Sequence, residues 1–169
     1  VKEGTGKITY PDGAVYEGGI LRGQRAGQGK LTLADGLTYE GGWAEGQMNG
    51  QGKLTQPNKD VYEGGFVNGQ RQGKGKVTYA NGDTYEGEFV ADQRQGKGVF
   101  RGTDGYVYDG DWVAGRIEGK GKVTYPDGSV YEGQFLNDLA NGKGKITYAD
   151  KSSYEGDWKD GQRDRKSVV

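Results

Sequence analysis

Gly73-Lys74-Gly75-Lys76-Val77-Thr78-Tyr79-Ala80-Asn81-Gly82-Asp83-Thr84-Tyr85-Glu86-Gly87-Glu88-Phe89 reads as two β-strands around a tight turn. Gly73, Gly75, Val77 and Tyr79 share one face of the first run. Tyr85, Gly87 and Phe89 share one face of the second, with Glu86 and Glu88 opposite. Period two marks a strand because successive Cβ atoms point to opposite faces. Asn81-Gly82 suits the positive φ angles of a hairpin turn, and Asp-Gly takes its place at Asp12-Gly13, Asp35-Gly36, Asp104-Gly105 and Asp127-Gly128. After Phe89, Asp92-Gln93-Arg94-Gln95-Gly96 reads as a turn-rich stretch, and the next strand opens near Gly96-Lys97-Gly98 and carries Phe100.

The pattern recurs every 23 residues, at Tyr16, Tyr39, Tyr62, Tyr85, Tyr108, Tyr131 and Tyr154. A fixed period in this range marks a repeat architecture. The predicted fold is all-β: an elongated single-layer antiparallel β-solenoid of 23-residue β-hairpin repeats. The array covers residues 1–161, as a half repeat 1–15, six full repeats 16–153 and a half repeat 154–161, before a basic tail at 162–169. Two strands per repeat advance such an array by about 10 Å, and its whole length is on the order of 70 Å.

Two columns supply the apolar spine. Ile20, Trp43, Phe66, Phe89, Trp112, Phe135 and Trp158 lie four residues after each tyrosine. Ile8, Leu31, Leu54, Val77, Phe100, Val123 and Ile146 lie eight before. Glycines two residues past each tyrosine and at the second strands imply close backbone approach, with rings laid over them.

The 169 residues are 31% hydrophobic and 28% charged, with 35 glycines and a net charge of −1. Such a composition without order would read as disordered, and the strict period overrules that reading. Stability must come from stacking of neighbouring repeats rather than from a thick core. The mixed charge gives no basic stripe for nucleic acid. Cysteine and histidine are absent, which removes thiol nucleophiles, the usual zinc ligands and the commonest general base. No apolar run approaches a membrane span. The chain starts in mid-repeat without methionine, so a targeting segment is expected to be lost to view.

Tyr62-Glu63-Gly64-Gly65-Phe66-Val67-Asn68-Gly69 followed by Gly73-Lys74-Gly75-Lys76-Val77-Thr78-Tyr79-Ala80-Asn81-Gly82 resembles the MORN repeat (membrane occupation and recognition nexus). The resemblance runs from residue 1 to about 161. It implies a module for protein tethering, self-association or phospholipid binding, found beside catalytic domains or alone. Asp92 and Asp138 depart from the glycine of other units, and Lys59 and Lys151 from the turn glycine, putting local turn geometry in question. Ala26, Asn49, Gln72, Gln95, Glu118, Asn141 and Asp164 stand where many family members carry histidine.

The acidic column Glu17, Glu40, Glu63, Glu86, Asp109, Glu132 and Glu155 offers carboxylate pairs roughly 10 Å apart, near the spacing of inverting glycosidases. Its repetition in every unit, with lysines facing it, makes it a scaffold feature of cross-strand ion pairs. Gly-Lys pairs lack the Ser or Thr of a phosphate loop. No catalytic residue, metal site or cofactor is expected. The reading is a non-catalytic protein-binding or scaffolding module, docking a protein or peptide in an aromatic and glycine-lined groove and a second copy at its sheet ends. A thin sheet leaves rings partly exposed, and Tyr39, Trp43, Tyr62, Phe66, Tyr85 and Phe89 form the middle of that groove.

The alternative is a peripheral membrane module for anionic phospholipid headgroups, with Arg163, Arg165 and Lys166 as a small basic contact. A cytoplasmic or membrane-peripheral location follows from either reading. One asymmetry stands out. Gly19, Gly42 and Gly65 give way to Glu88, Asp111, Gln134 and Asp157, while Thr5, Gln28 and Gln51 give way to Lys74, Lys97, Lys120 and Lys143. An extra ion-pair ladder is expected in the C-terminal half, with a bare, more approachable polar face near the N-terminus.

Overall fold

The computed structural model describes residues 3–164, which hold no helix. Fifteen antiparallel strands follow one another in chain order in one open sheet. They are β1 Glu3–Thr9, β2 Val15–Leu21, β3 Gln24–Thr32, β4 Thr38–Ala44, β5 Gln47–Thr55, β6 Val61–Val67, β7 Gln70–Thr78 and β8 Thr84–Val90. The rest are β9 Gln93–Arg101, β10 Val107–Val113, β11 Arg116–Thr124, β12 Val130–Leu136, β13 Leu139–Thr147, β14 Ser153–Lys159 and β15 Gln162–Arg163. The described residues divide into two compact units, 3–80 with 89–92 and 81–88 with 93–164.

The two kinds of turn differ from the sequence reading. The tight turn is not at Asp-Gly. It joins each of β2, β4, β6, β8, β10 and β12 to its nine-residue successor through two residues, both at positive φ: Glu45 and Gly46 at 51° and 80°, Ala114 and Gly115 at 48° and 82°. That is the hairpin turn whose twist matches the strands. The Asp-Gly turns are three-residue loops. Gly13 N–H donates to the Tyr10 carbonyl at 3.0 Å, and Tyr10 N–H to Ala14 at 2.8 Å, with only Gly13 at positive φ (94°). The Asp12 carboxylate accepts from Ala14 N–H at 3.0 Å, which is why Asp or Asn stands there.

The departures keep this geometry. Lys59 and Lys151 take the glycine position at φ 79° and 76°. Asp92 and Asp138 do the same at 72° and 70°, and each carboxylate accepts a backbone N–H 21 residues back, from Arg71 at 3.2 Å and Ile117 at 2.8 Å.

The stretch Asp92–Gly96 is also corrected: all but its first residue is strand, since β9 starts at Gln93. The glycine there is a bulge. In β4–β5, Gly41 pairs Gly52 and Trp43 pairs Met48, so Gly42 faces three residues. Gly50 sits in that bulge at φ 90°, which a side chain rarely adopts. The same shift occurs in β2–β3, β6–β7, β10–β11 and β12–β13. Bulges bend the strand, and Arg25, at the start of β3 beside one of them, lies over the aromatic column.

The core is a stack of rings on glycines. A Cβ at Gly52 would lie 2.2 Å from the Tyr39 hydroxyl, and one at Gly121 2.4 Å from that of Tyr108. In the first unit Tyr16, Trp43, Tyr39, Phe66, Tyr62 and Phe89 meet edge to face at centroid distances of 5.1–5.5 Å. In the second, Tyr85, Trp112, Tyr108, Phe135, Tyr131, Trp158 and Tyr154 do so at 5.1–5.6 Å. Tyr39, Tyr62, Tyr108 and Tyr131 thus each lie between rings of two successive repeats, and this neighbour-on-neighbour burial stabilises an array with no thick core. The second apolar column contributes less: Val77 and Val123 are buried, while Ile8, Leu31, Leu54, Phe100 and Ile146 are half-buried.

Candidate functional site

The six rings expected to line a groove are buried. Tyr39 and Tyr85 are fully inaccessible, and Phe89, Tyr62, Phe66 and Trp43 expose no more than 5% of their surface. The expectation of partly exposed rings is corrected by the bulge, which folds a second layer of side chains over them. The Arg25 guanidinium lies 4.7 Å from the Trp43 ring and donates to the Gly46 carbonyl at 2.9 Å. Arg71 covers Phe89 at 4.8 Å and bonds Asp92 at 2.6 Å. In the second unit Arg94 covers Trp112 at 4.5 Å and donates to Gly115. No periodic signal marked these arginines, because Met48, Ile117 and Ala140 share their column.

Burial also satisfies and shifts the tyrosines. Each hydroxyl donates to the carbonyl three residues on, as Tyr39 to Gly42 at 2.9 Å and Tyr62 to Gly65 at 2.9 Å. Desolvation pushes the Tyr62 and Tyr131 hydroxyls up to about 12. It raises that of Tyr108 as well.

The face opposite the rings stays open. In the second unit it holds a groove floored by the backbone of Gly110, Gly121 and Gly133. Along it stand Lys97, Lys120, Lys122 and Lys143, with Asp109, Glu132 and Gln134. The groove runs on past Gly144 and Gly156, beside Lys145 and Glu155.

Two rows of charge border it. In one, Lys122 pairs in register with both Asp109 and Glu132, and Lys145 with Glu132 and Glu155. Of the whole Glu/Lys column, Lys7 and Glu17 at 3.8 Å are the one pair in ion-pair reach among the described residues. The other row is the expected ladder. Lys97 pairs Asp111 and Lys143 pairs Asp157 as direct ion pairs. The hydrogen bond from Lys97 holds the Asp111 carboxyl below the usual carboxylate range.

In the first unit Gln28 and Gln51 face Gly42 and Gly65 across the strands. Gly42 and Gly65 add no side chain to this face, yet it is not more approachable there, because both glycines are buried. The bulge carbonyls of Asn49 and Gln72 fill the space, 2.1 and 2.4 Å from where a Cβ would sit.

Of the basic tail, Arg163 belongs to β15, and its guanidinium lies 4.5 Å from the Tyr154 ring and donates to the Tyr148 hydroxyl. Arg165 and Lys166 lie outside the described residues. Among the described residues, no group of three His, Cys, Asp or Glu is placed to hold a metal ion, and no helix is long and apolar enough to cross a membrane.

Hairpins of one length, paired in chain order and sharing a stack of rings, define a β-hairpin repeat protein. The chain belongs to the MORN repeat family, whose model matches residues 1–15, 16–38, 39–61, 62–84, 85–105, 108–130, 131–153 and 154–166. Comparison with curated protein sequences gives no match.

Among solved structures, the chain is similar to the TCP domain of Drosophila melanogaster SAS-4 (dCPAP), in complex with a proline-rich motif of Ana2 (dSTIL). Identity is 16%, over 89% of this chain and 77% of that one, with a TM-score of 0.49. It is also similar to the wild-type TCP10 domain of Danio rerio CPAP, at 16% identity over 90% of this chain and 83% of that one, with a TM-score of 0.32.

Proposed function

We propose that this chain is a non-catalytic protein-binding or scaffolding module, and that its second unit docks a protein segment in the glycine-floored groove. The observation behind this reading is a division of labour between the two faces. One face buries the Trp and Phe rings four residues after each tyrosine and every column tyrosine but Tyr154, while the other leaves a backbone floor between rows of lysine and carboxylate. Such rows present the same donors and acceptors at successive repeats, which suits recognition of an extended surface rather than catalysis at a point. In this reading Tyr39, Trp43, Tyr62, Phe66, Tyr85 and Phe89 act indirectly, by bending and stiffening the sheet. The sheet ends add a route to self-association by edge pairing.

The mixed charge of the groove favours protein over membrane. An anionic headgroup layer meets Asp109, Glu132 and Glu155 together with the lysines, whereas lipid binding gains ~1 kcal/mol per clustered basic residue.

Affinity capture with purified chain tests the reading, followed by titration of the purified partner. Wild type is compared with Lys97→Glu/Lys143→Glu and with Leu136→Asp/Leu139→Asp, each checked for fold by circular dichroism. The groove reading expects loss only in the lysine variant. Loss only in the leucine variant would move the docking surface to the exposed hairpin tip formed by Leu136 and Leu139, which are 47% and 46% accessible. Capture by phosphatidylserine vesicles alone would replace it with the membrane reading.

A further inference from the structure

The ladder on the groove has one broken rung. Lys97, Lys120 and Lys143 occupy equivalent places 23 residues apart. Asp111 faces Lys97 and Asp157 faces Lys143, and both pairs close as ion pairs. Lys120 faces Gln134 instead, and among the described residues it has no ion-pair partner.

Gln134 does only half of what the aspartate does in the preceding repeat. The Asp111 carboxylate accepts the Lys120 backbone N–H at 3.1 Å through one oxygen and the Lys97 ammonium through the other. Gln134 Oε1 accepts the corresponding Lys143 N–H at 2.8 Å. Its Nε2 is a donor and offers the ammonium of Lys120 nothing to bind. Asp111 lies close enough to Lys120 for charge attraction, but its direct ion pair is with Lys97. Among the described residues the groove therefore presents one lysine ammonium without an ion pair, across the strands from an amide N–H₂.

We propose that Lys120 and Gln134 form an acceptor site for one carboxylate side chain, an Asp or Glu, of the protein segment that docks in the groove. This rests on the docking reading above and names the partner's chemistry. Two donors of this kind match the two oxygens of a carboxylate. A phosphate dianion would meet Asp109 and Glu132 at the same groove, and like-charge juxtaposition disfavours it. The ion pairs on either side fix the position along the array at which the acid must fall, so Lys120 sets register.

The test is selection of peptides from a displayed random library against the full chain, with the best peptide remade with each acid replaced by its amide. Lys120→Gln and Gln134→Glu are the variants. The second supplies Lys120 with an internal carboxylate, as Asp111 does for Lys97, and is expected to keep or raise stability by circular dichroism. The expected result is enrichment of one acidic position in the peptide. Its amide form then binds about tenfold more weakly, both variants lose the same factor, and combining peptide and protein changes adds no further loss. Peptides that bind equally well to Lys120→Gln overturn the assignment of Lys120 and leave the docking reading standing. Recovery of no peptide overturns both. Vesicles of phosphatidylcholine with phosphatidylserine that bind wild type and not Lys120→Gln overturn the carboxylate assignment in favour of a lipid headgroup.

Discussion

The Tyr39 hydroxyl donates to the Gly42 carbonyl at 2.9 Å, and its ring occupies the space where Gly52, on the next strand, would carry a Cβ. Ring and glycine are therefore one unit of structure. Gly52→Ala is expected to cost at least ~2 kcal/mol, because the buried ring cannot move aside. Tyr39→Phe keeps the ring and is expected to cost only ~1 kcal/mol, for the hydrogen bond. Urea unfolding followed by circular dichroism separates the two.

Arg94 covers Trp112 at 4.5 Å while donating to the Gly115 carbonyl at 2.9 Å. Lysine keeps the charge but lacks the planar fork that does both. Arg94→Lys is expected to lower stability by ~1 kcal/mol. Arg94→Met, which imitates Met48 of another repeat, is expected to cost less. Midpoints of chemical denaturation provide the comparison.

Lys59 and Lys151 hold left-handed backbone at φ 79° and 76°. Relieving that strain with Lys59→Gly is expected to stabilise the chain by about 0.5–1 kcal/mol, net of the entropy glycine adds to the unfolded state. Asp92→Gly should do the opposite despite a similar φ of 72°, since it removes the acceptor for Arg71. Thermal melts of the two variants should shift in opposite directions.

The ion pairs Lys97–Asp111 and Lys143–Asp157 are exposed on the lysine side, so salt screens both. Raising salt is expected to speed hydrogen exchange in β9–β11 and β13–β14. Asp111 has a folded pKa below its ordinary 3.8. Its contribution is fully present above that ordinary value and is lost as pH falls through the depressed one. Exchange that is insensitive to salt would remove the ladder as a source of stability.

At the alkaline end the sign reverses. Tyr62 and Tyr131 titrate near 12 in the folded chain, against an ordinary 10.0, because burial disfavours the phenolate. Below pH 10 both states hold the proton and nothing is lost. Between pH 10 and about 12 only the unfolded chain ionises, so stability falls with rising pH. Absorbance of tyrosinate and circular dichroism, followed together, should show late ionisation coinciding with unfolding.

The hairpin repeat, its 23-residue length and the ring-on-glycine pairing were legible in the sequence. A Tyr-x-Gly spacing puts both residues on one strand face, and identical spacing in every unit forces identical register. The ladder was legible too, as Asp111 and Lys97 vary together with their counterparts along the array. The turns were not. Asp-Gly and Asn-Gly carry the residue preferences of a two-residue turn, yet here they serve three-residue loops. The tight turns lie at pairs such as Glu45-Gly46.

By itself, then, the sequence determined what repeats and which residues share a face, because those are consequences of local period. Only the tertiary structure decided which face meets solvent. A bulge where one residue faces three, as at Gly19, bends the hairpin of β2 and β3, and Arg25 beside it lies over the Trp43 ring of the following repeat. The rings are thereby buried and the lysine and carboxylate rows left open. That choice depends on contacts between residues of different repeats, which no local pattern encodes.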